Sequence, residues 1–130
     1  QSGDSIEPYA RSVETTIPSP AKGTARIVVF RGSTFGLAPN LAMPKLKIDG
    51  SSIGNCQHET PIIRDVSPGR YDITIQTDLT ASRVVTPAEG ETVFLRCNVL
   101  PVGLLLPAPA LDVVSQADVP EKVMKLLQTP

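Results

Sequence analysis

Arg70-Tyr71-Asp72-Ile73-Thr74-Ile75-Gln76-Thr77 is the stretch that decides the fold class. Tyr71, Ile73 and Ile75 alternate with Asp72, Thr74 and Gln76. A period of two puts the first set on one face of a strand and the second on the other, as a sheet with one buried side requires. Ser67-Pro68-Gly69 stands just ahead of it, and Pro followed by Gly suits the central positions of a type II turn.

Working outward, the same punctuation recurs at about ten-residue intervals. Ala25-Arg26-Ile27-Val28-Val29-Phe30-Arg31 is a short β-branched run capped by charges, the pattern of a buried strand. Gly32 to Pro44 reads as a loop. Lys45-Leu46-Lys47-Ile48 alternates and runs into Asp49-Gly50, a strong hairpin signal because glycine supplies positive φ. The return run Ser52 to Cys56 contains Gly54, which marks a bulge or a close backbone approach. Thr60 to Val66, Ala81 to Thr86 and Thr92 to Val99 complete seven strands, and Ala110 to Ser115 adds an eighth candidate. The expected fold is mainly β: an antiparallel, immunoglobulin-like β-sandwich of seven to eight strands with a short C-terminal helix. That helix follows from Asp118 as N-cap with Glu121 three residues on, and from Val119, Val123, Leu126 and Leu127 as one apolar stripe.

The chain has 130 residues, 41% of them hydrophobic, which suffices for one domain with a core. Residues 25–130 are expected to form it. Residues 1–24, mixed in Ser, Thr and charges and broken by Pro8, Pro18 and Pro20, read as an N-terminal tether or a remnant of domain trimming. The polar opening Gln1-Ser2-Gly3 is what an exported chain looks like after processing. Twelve Lys and Arg against thirteen Asp and Glu leave a net charge of -1, without the basic surplus that phosphate contacts demand, so no nucleic-acid partner is expected.

Cys56 and Cys97 lie 41 residues apart, which fits no close-paired metal or redox spacing. Two readings stand: buried free thiols, and a disulfide of the kind an oxidising compartment preserves, which the exported-looking start favours. Val102-Gly103-Leu104-Leu105-Leu106 sits among Pro101, Pro107 and Pro109 and reads as an apolar loop. It either folds over an open end of the domain or offers Leu104, Leu105 and Leu106 to a partner.

Several of these stretches together resemble a family. Arg26 to Arg31 is similar to an opening Arg-apolar-aromatic-Arg strand, and Lys47-Ile48-Asp49-Gly50-Ser51-Ser52-Ile53-Gly54 to an apolar-Asp-Gly hairpin. Val66 to Ile73 resembles a Pro-Gly turn into a strand, and Ala88 to Arg96 a Gly-x-Thr-apolar-aromatic-apolar-Arg strand. With the helix that follows Leu111-Asp112-Val113-Val114, this order resembles a bacterial domain-of-unknown-function family of small envelope lipoproteins. That family has a prealbumin-like (transthyretin-like) β-sandwich. The likeness spans about residues 26–127 and departs at Cys56, where an apolar residue is usual, and at 101–109. It implies an envelope location, periplasmic or at the outer membrane, and a lipid anchor just ahead of Gln1; it carries over no catalytic residues.

Catalytic equipment is sparse. His58, the single histidine, sits between Gln57 and Glu59 as an exposed loop residue would, and a zinc site needs three or four ligands. No Gly-x-Ser-x-Gly elbow exists for a triad, and Ser51-Ser52 is explained by the Asp49-Gly50 turn. Gly32-Ser33-Thr34-Phe35-Gly36 lacks the Gly-Lys-Ser/Thr ending of a phosphate loop. There is no Trp, and few aromatics are left for stacking on sugars or bases. The expectation is a non-enzymatic module without metal or cofactor that packs against other envelope proteins or copies of itself. Its contacts would be the tether, Leu104–Leu106 and open sheet edges. The competing expectation is a module binding a glycan or small apolar molecule near Leu104–Leu106 and Phe35.

Overall fold

Period-two runs separated by Gly, Pro and Asp turns become eight strands in the computed structural model, which describes residues 18–32, 43–57, 60–77, 79–102 and 106–128, without the side chains of 100–102, 106 and 107. They are β1 (Ala25–Arg31), β2 (Lys45–Ile48), β3 (Ser51–Asn55), β4 (Ile62–Val66), β5 (Tyr71–Gln76), β6 (Thr80–Val85), β7 (Thr92–Val102) and β8 (Leu106–Val114). A 3₁₀ turn, Gln116–Asp118, and one helix, α1 (Glu121–Gln128), follow. Two four-stranded sheets result, ordered β4-β1-β7-β8 and β3-β2-β5-β6.

Both sheets feed one buried cluster. Ile27, Val29, Leu95, Cys97 and Leu111 come from the first sheet, and Leu46, Ile73, Ile75 and Val85 from the second. Tyr71, Ile73 and Ile75 lie on the buried side of β5 as their alternation requires; Tyr71 is partly buried, and its hydroxyl donates to the Ser67 carbonyl at 2.6 Å. A smaller cluster lies on the other face of the first sheet, where Val119, Val123 and Leu127 cover Val28, Phe30 and Phe94. β1 is therefore buried on both faces, which explains why its run Ile27-Val28-Val29-Phe30 is apolar without alternation.

Asp49 (φ 50°) and Gly50 (φ 86°) both take positive φ between Ile48 and Ser51, the two-residue turn the sequence signals. The Asp49 carboxylate accepts from the Asp72 N–H at 2.8 Å, which locks this hairpin to β5. The β2–β3 register shifts between Leu46 and Lys47, leaving Ile53 unopposed beside Gly54 (φ 139°), so the expected bulge is present.

Five expectations need correction. The sheets are not wholly antiparallel: β1 and β7 pair in parallel, Arg26 opposite Thr92 through Arg31 opposite Cys97. The chain between them crosses through the other sheet and returns in the same direction, which no local signal announces. Residues 101–102 and 106–109 are strand and not loop; β7 runs to Val102 and β8 begins at Leu106, with Pro101 opposite Pro107 and Val99 opposite Pro109, while 103–105 lie outside the described residues. Ser67–Arg70 is not a type II turn, because Gly69 has φ 153° and donates its N–H to the Pro87 carbonyl at 3.3 Å. Asp118 does not cap the helix. Pro120 holds Val119 extended (φ -82°, ψ 132°), and α1 starts after it, with Met124 N–H donating to the Pro120 carbonyl at 3.1 Å. Leu126 leaves the stripe and is exposed, since Val123 and Leu127, four apart, already define the buried face.

Candidate interaction surface

The register places unlike connections at opposite ends of the two sheets. β1, β3, β5 and β7 end, and β2, β4, β6 and β8 begin, at the end where Cys56 and Cys97 meet. The connections 32–44, 56–61, 77–79 and 103–105 all leave from it. The opposite end holds the Asp49-Gly50 turn and the connections 67–70 and 86–91. Residues 18–24, the last part of the segment read as a tether, are hydrogen-bonded into this second end. Gly23 N–H donates to the Glu89 carboxylate at 2.8 Å, and Gly90 N–H to the Thr24 carbonyl at 2.8 Å.

The disulfide reading of Cys56 and Cys97 holds. The bond joins the residue after β3 to the middle of β7, thus one sheet to the other, with Cα atoms 6.5 Å apart. Both cysteines are buried. Arg31, at the end of β1, points its guanidinium under the same end and donates from Nη1 to the Cys56 carbonyl at 2.9 Å. It is only 8% exposed, and burial pushes its pKa below the ordinary arginine value. Sequence reasoning missed it: a charge closing an apolar run looks like a strand cap. The signal that could have found it is parity, since Arg31 shares the face of Ile27 and Val29.

β7 and β8 continue past the last residue of β1. Arg31 pairs with Cys97, whereas the β7–β8 ladder extends five further pairs, Asn98 opposite Ala110 to Val102 opposite Leu106. The connection carrying Leu104 and Leu105 thus caps a hairpin that outruns its own sheet. Leu104 and Leu105 lie outside the described residues, as do His58, Phe35 and residues 1–17 of the tether; Leu106 opens β8, and its side chain is not described. Backbone topology brings the connections holding His58 and Leu104–Leu105 to one end of the molecule.

Each sheet edge carries a feature that hinders strand addition. On β8, Leu111 turns its carbonyl outward, where Arg83 Nε donates to it at 2.7 Å. Pro107 and Pro109 share that parity, so the outward edge lacks two N–H donors. Arg83 stands opposite Ile73 on β6, an inward-pointing charge on an edge strand. On β4, Arg64 stands opposite the buried Ile27, the same arrangement. β3 is bent by its bulge.

Among the described residues, shallow grooves lie toward the other end. One, of about 370 Å³, is lined by Gln116, Val119, Met124 and Lys125 among others; the second, of about 230 Å³, runs between Glu91–Phe94 and Val113–Gln116. Among the described residues no three His, Cys, Asp or Glu side chains gather to hold a metal ion, and no helix is long and apolar enough to cross a membrane. The ion pairs join structural neighbours: Arg26 with Asp65 across β1 and β4, and Arg83 with Asp112 between β6 and β8. Compared with known proteins, the chain matches no family model and no curated relative.

Proposed function

We propose that this chain is a non-enzymatic module of the cell envelope that packs into a larger protein assembly through the tip of the β7–β8 hairpin. Its partners are other envelope proteins or copies of itself. The two sheets, in the orders β4-β1-β7-β8 and β3-β2-β5-β6, are read as a prealbumin-like sandwich. The observation that carries this reading is the hairpin that outruns β1 by five residue pairs and ends in the Leu104–Leu106 segment. A hairpin that extends beyond its sheet and whose connection is leucine-rich in sequence has the composition of a contact element. The buried cross-sheet disulfide supports an oxidising compartment. The hindered edges support contact by the tip rather than by strand pairing.

The test replaces Leu104, Leu105 and Leu106 together by Ser in the full chain and compares proteins co-purified from gently solubilised envelopes. The expected result is loss of the partner set with an unchanged thermal melt and an intact disulfide. Retention of the same partners by the triple variant would overturn the proposal.

A further inference from the structure

We draw no further inference here: the strongest candidate, the groove of about 370 Å³ between the 3₁₀ turn and α1 lined by Gln116, Val119, Met124 and Lys125, is a partly apolar surface with nothing in the structure to show what covers it.

Discussion

Gly32 and Gly50 are needed for different reasons, and alanine separates them. A Cβ on Gly32 would come within 2.9 Å of Arg96 Cγ and Cδ and would also strike Asn98 Oδ1. The Gly32 N–H donates to the Cys97 carbonyl at 2.9 Å, so the backbone has little freedom to withdraw. Gly32→Ala is therefore an overpacking change and should cost about 1–3 kcal/mol. At Gly50 a Cβ meets nothing within 4 Å, and the cost of alanine lies in φ 86° alone. That cost is about 1 kcal/mol. Urea midpoints of the two variants measure the contrast, and an undisturbed midpoint for Gly32→Ala would contradict the close approach. Asp65 offers a second test at this scale. Arg26 Nε donates to its carboxylate at 2.7 Å and Nη2 at 3.2 Å, and this hydrogen bonding holds the Asp65 pKa below its ordinary value against the opposing effect of burial. The unfolded chain binds that proton more tightly. The pair thus stabilises the fold above the ordinary carboxylate range, and its contribution disappears as pH falls through the lowered folded value. The upward shift of Arg26 has the same origin and would be felt only at extreme alkalinity. Because the Asp65 side chain is 43% exposed, solvent screening limits the effect to about 0.2–1 kcal/mol. Asp65→Asn should flatten that part of the acid limb in a stability-against-pH series, and the difference from wild type should shrink in high salt.

At the scale of elements, the prolines of β8 show what was legible in the sequence and what was not. Period-two alternation marked β5, and Asp49-Gly50 marked the β2–β3 turn, because in both the local chain carries the information: a face to bury, a pair of positive φ angles. The same local reasoning misread 101–109. Proline spoils a strand only where its N–H is needed, and at Pro107 and Pro109 the missing donors face outward from an edge. Which side of a strand is the edge is a property of the assembled sheet. The parallel β1–β7 pair was invisible for a related reason: it joins Arg26 to Thr92 across the whole of the second sheet. Of the proposed contact, the sequence exposed the leucines but not the hairpin that carries them. If the prolines protect the edge, replacing both by threonine restores two outward donors on a nine-residue strand. The double variant Pro107→Thr, Pro109→Thr should keep its secondary structure yet self-associate more strongly than wild type as concentration rises, read by static light scattering. A double variant no more associated than wild type across the same range would show that the prolines are not what protects the edge.

At the scale of the molecule, the Cys56–Cys97 disulfide cross-links the two sheets in addition to the chain's own connections, and it sits at the end that carries the proposed contact. The opposite end is held by many short-range ties: the Asp49–Asp72 hydrogen bonds, the Gly23–Glu89 and Gly90–Thr24 bonds, and Tyr71 to Ser67. The disulfide end carries the long connection 32–44, and the polar ties beside the bond run through the two cysteines themselves: Arg31 to the Cys56 carbonyl, Cys56 N–H to the Pro44 carbonyl and Gly32 N–H to the Cys97 carbonyl. Closing a loop of about 40 residues removes enough freedom from the unfolded chain to stabilise the fold by roughly 3–4 kcal/mol on the chain-entropy model. That is a large share of the 5–15 kcal/mol typical of a domain. Replacing both cysteines by alanine should lower the denaturant-derived stability by about this amount. Its local consequences should fall unevenly: amide exchange should accelerate most around Cys56, Arg31 and Asn98–Val99, and least around β5 and the Asp49-Gly50 turn, whose bonds do not involve the cysteines. Equal acceleration throughout would mean that the bond acts on the unfolded chain alone. A strongly uneven map would mean that it also holds the disulfide end in shape, as presentation of the β7–β8 tip to a partner requires. With both cysteines buried, a reductant reaches the bond only when that end opens. Loss of the disulfide in mild dithiothreitol should therefore follow the local opening rate, slow in water and accelerated by sub-denaturing urea. Immediate reduction under native conditions would contradict the burial on which this account rests.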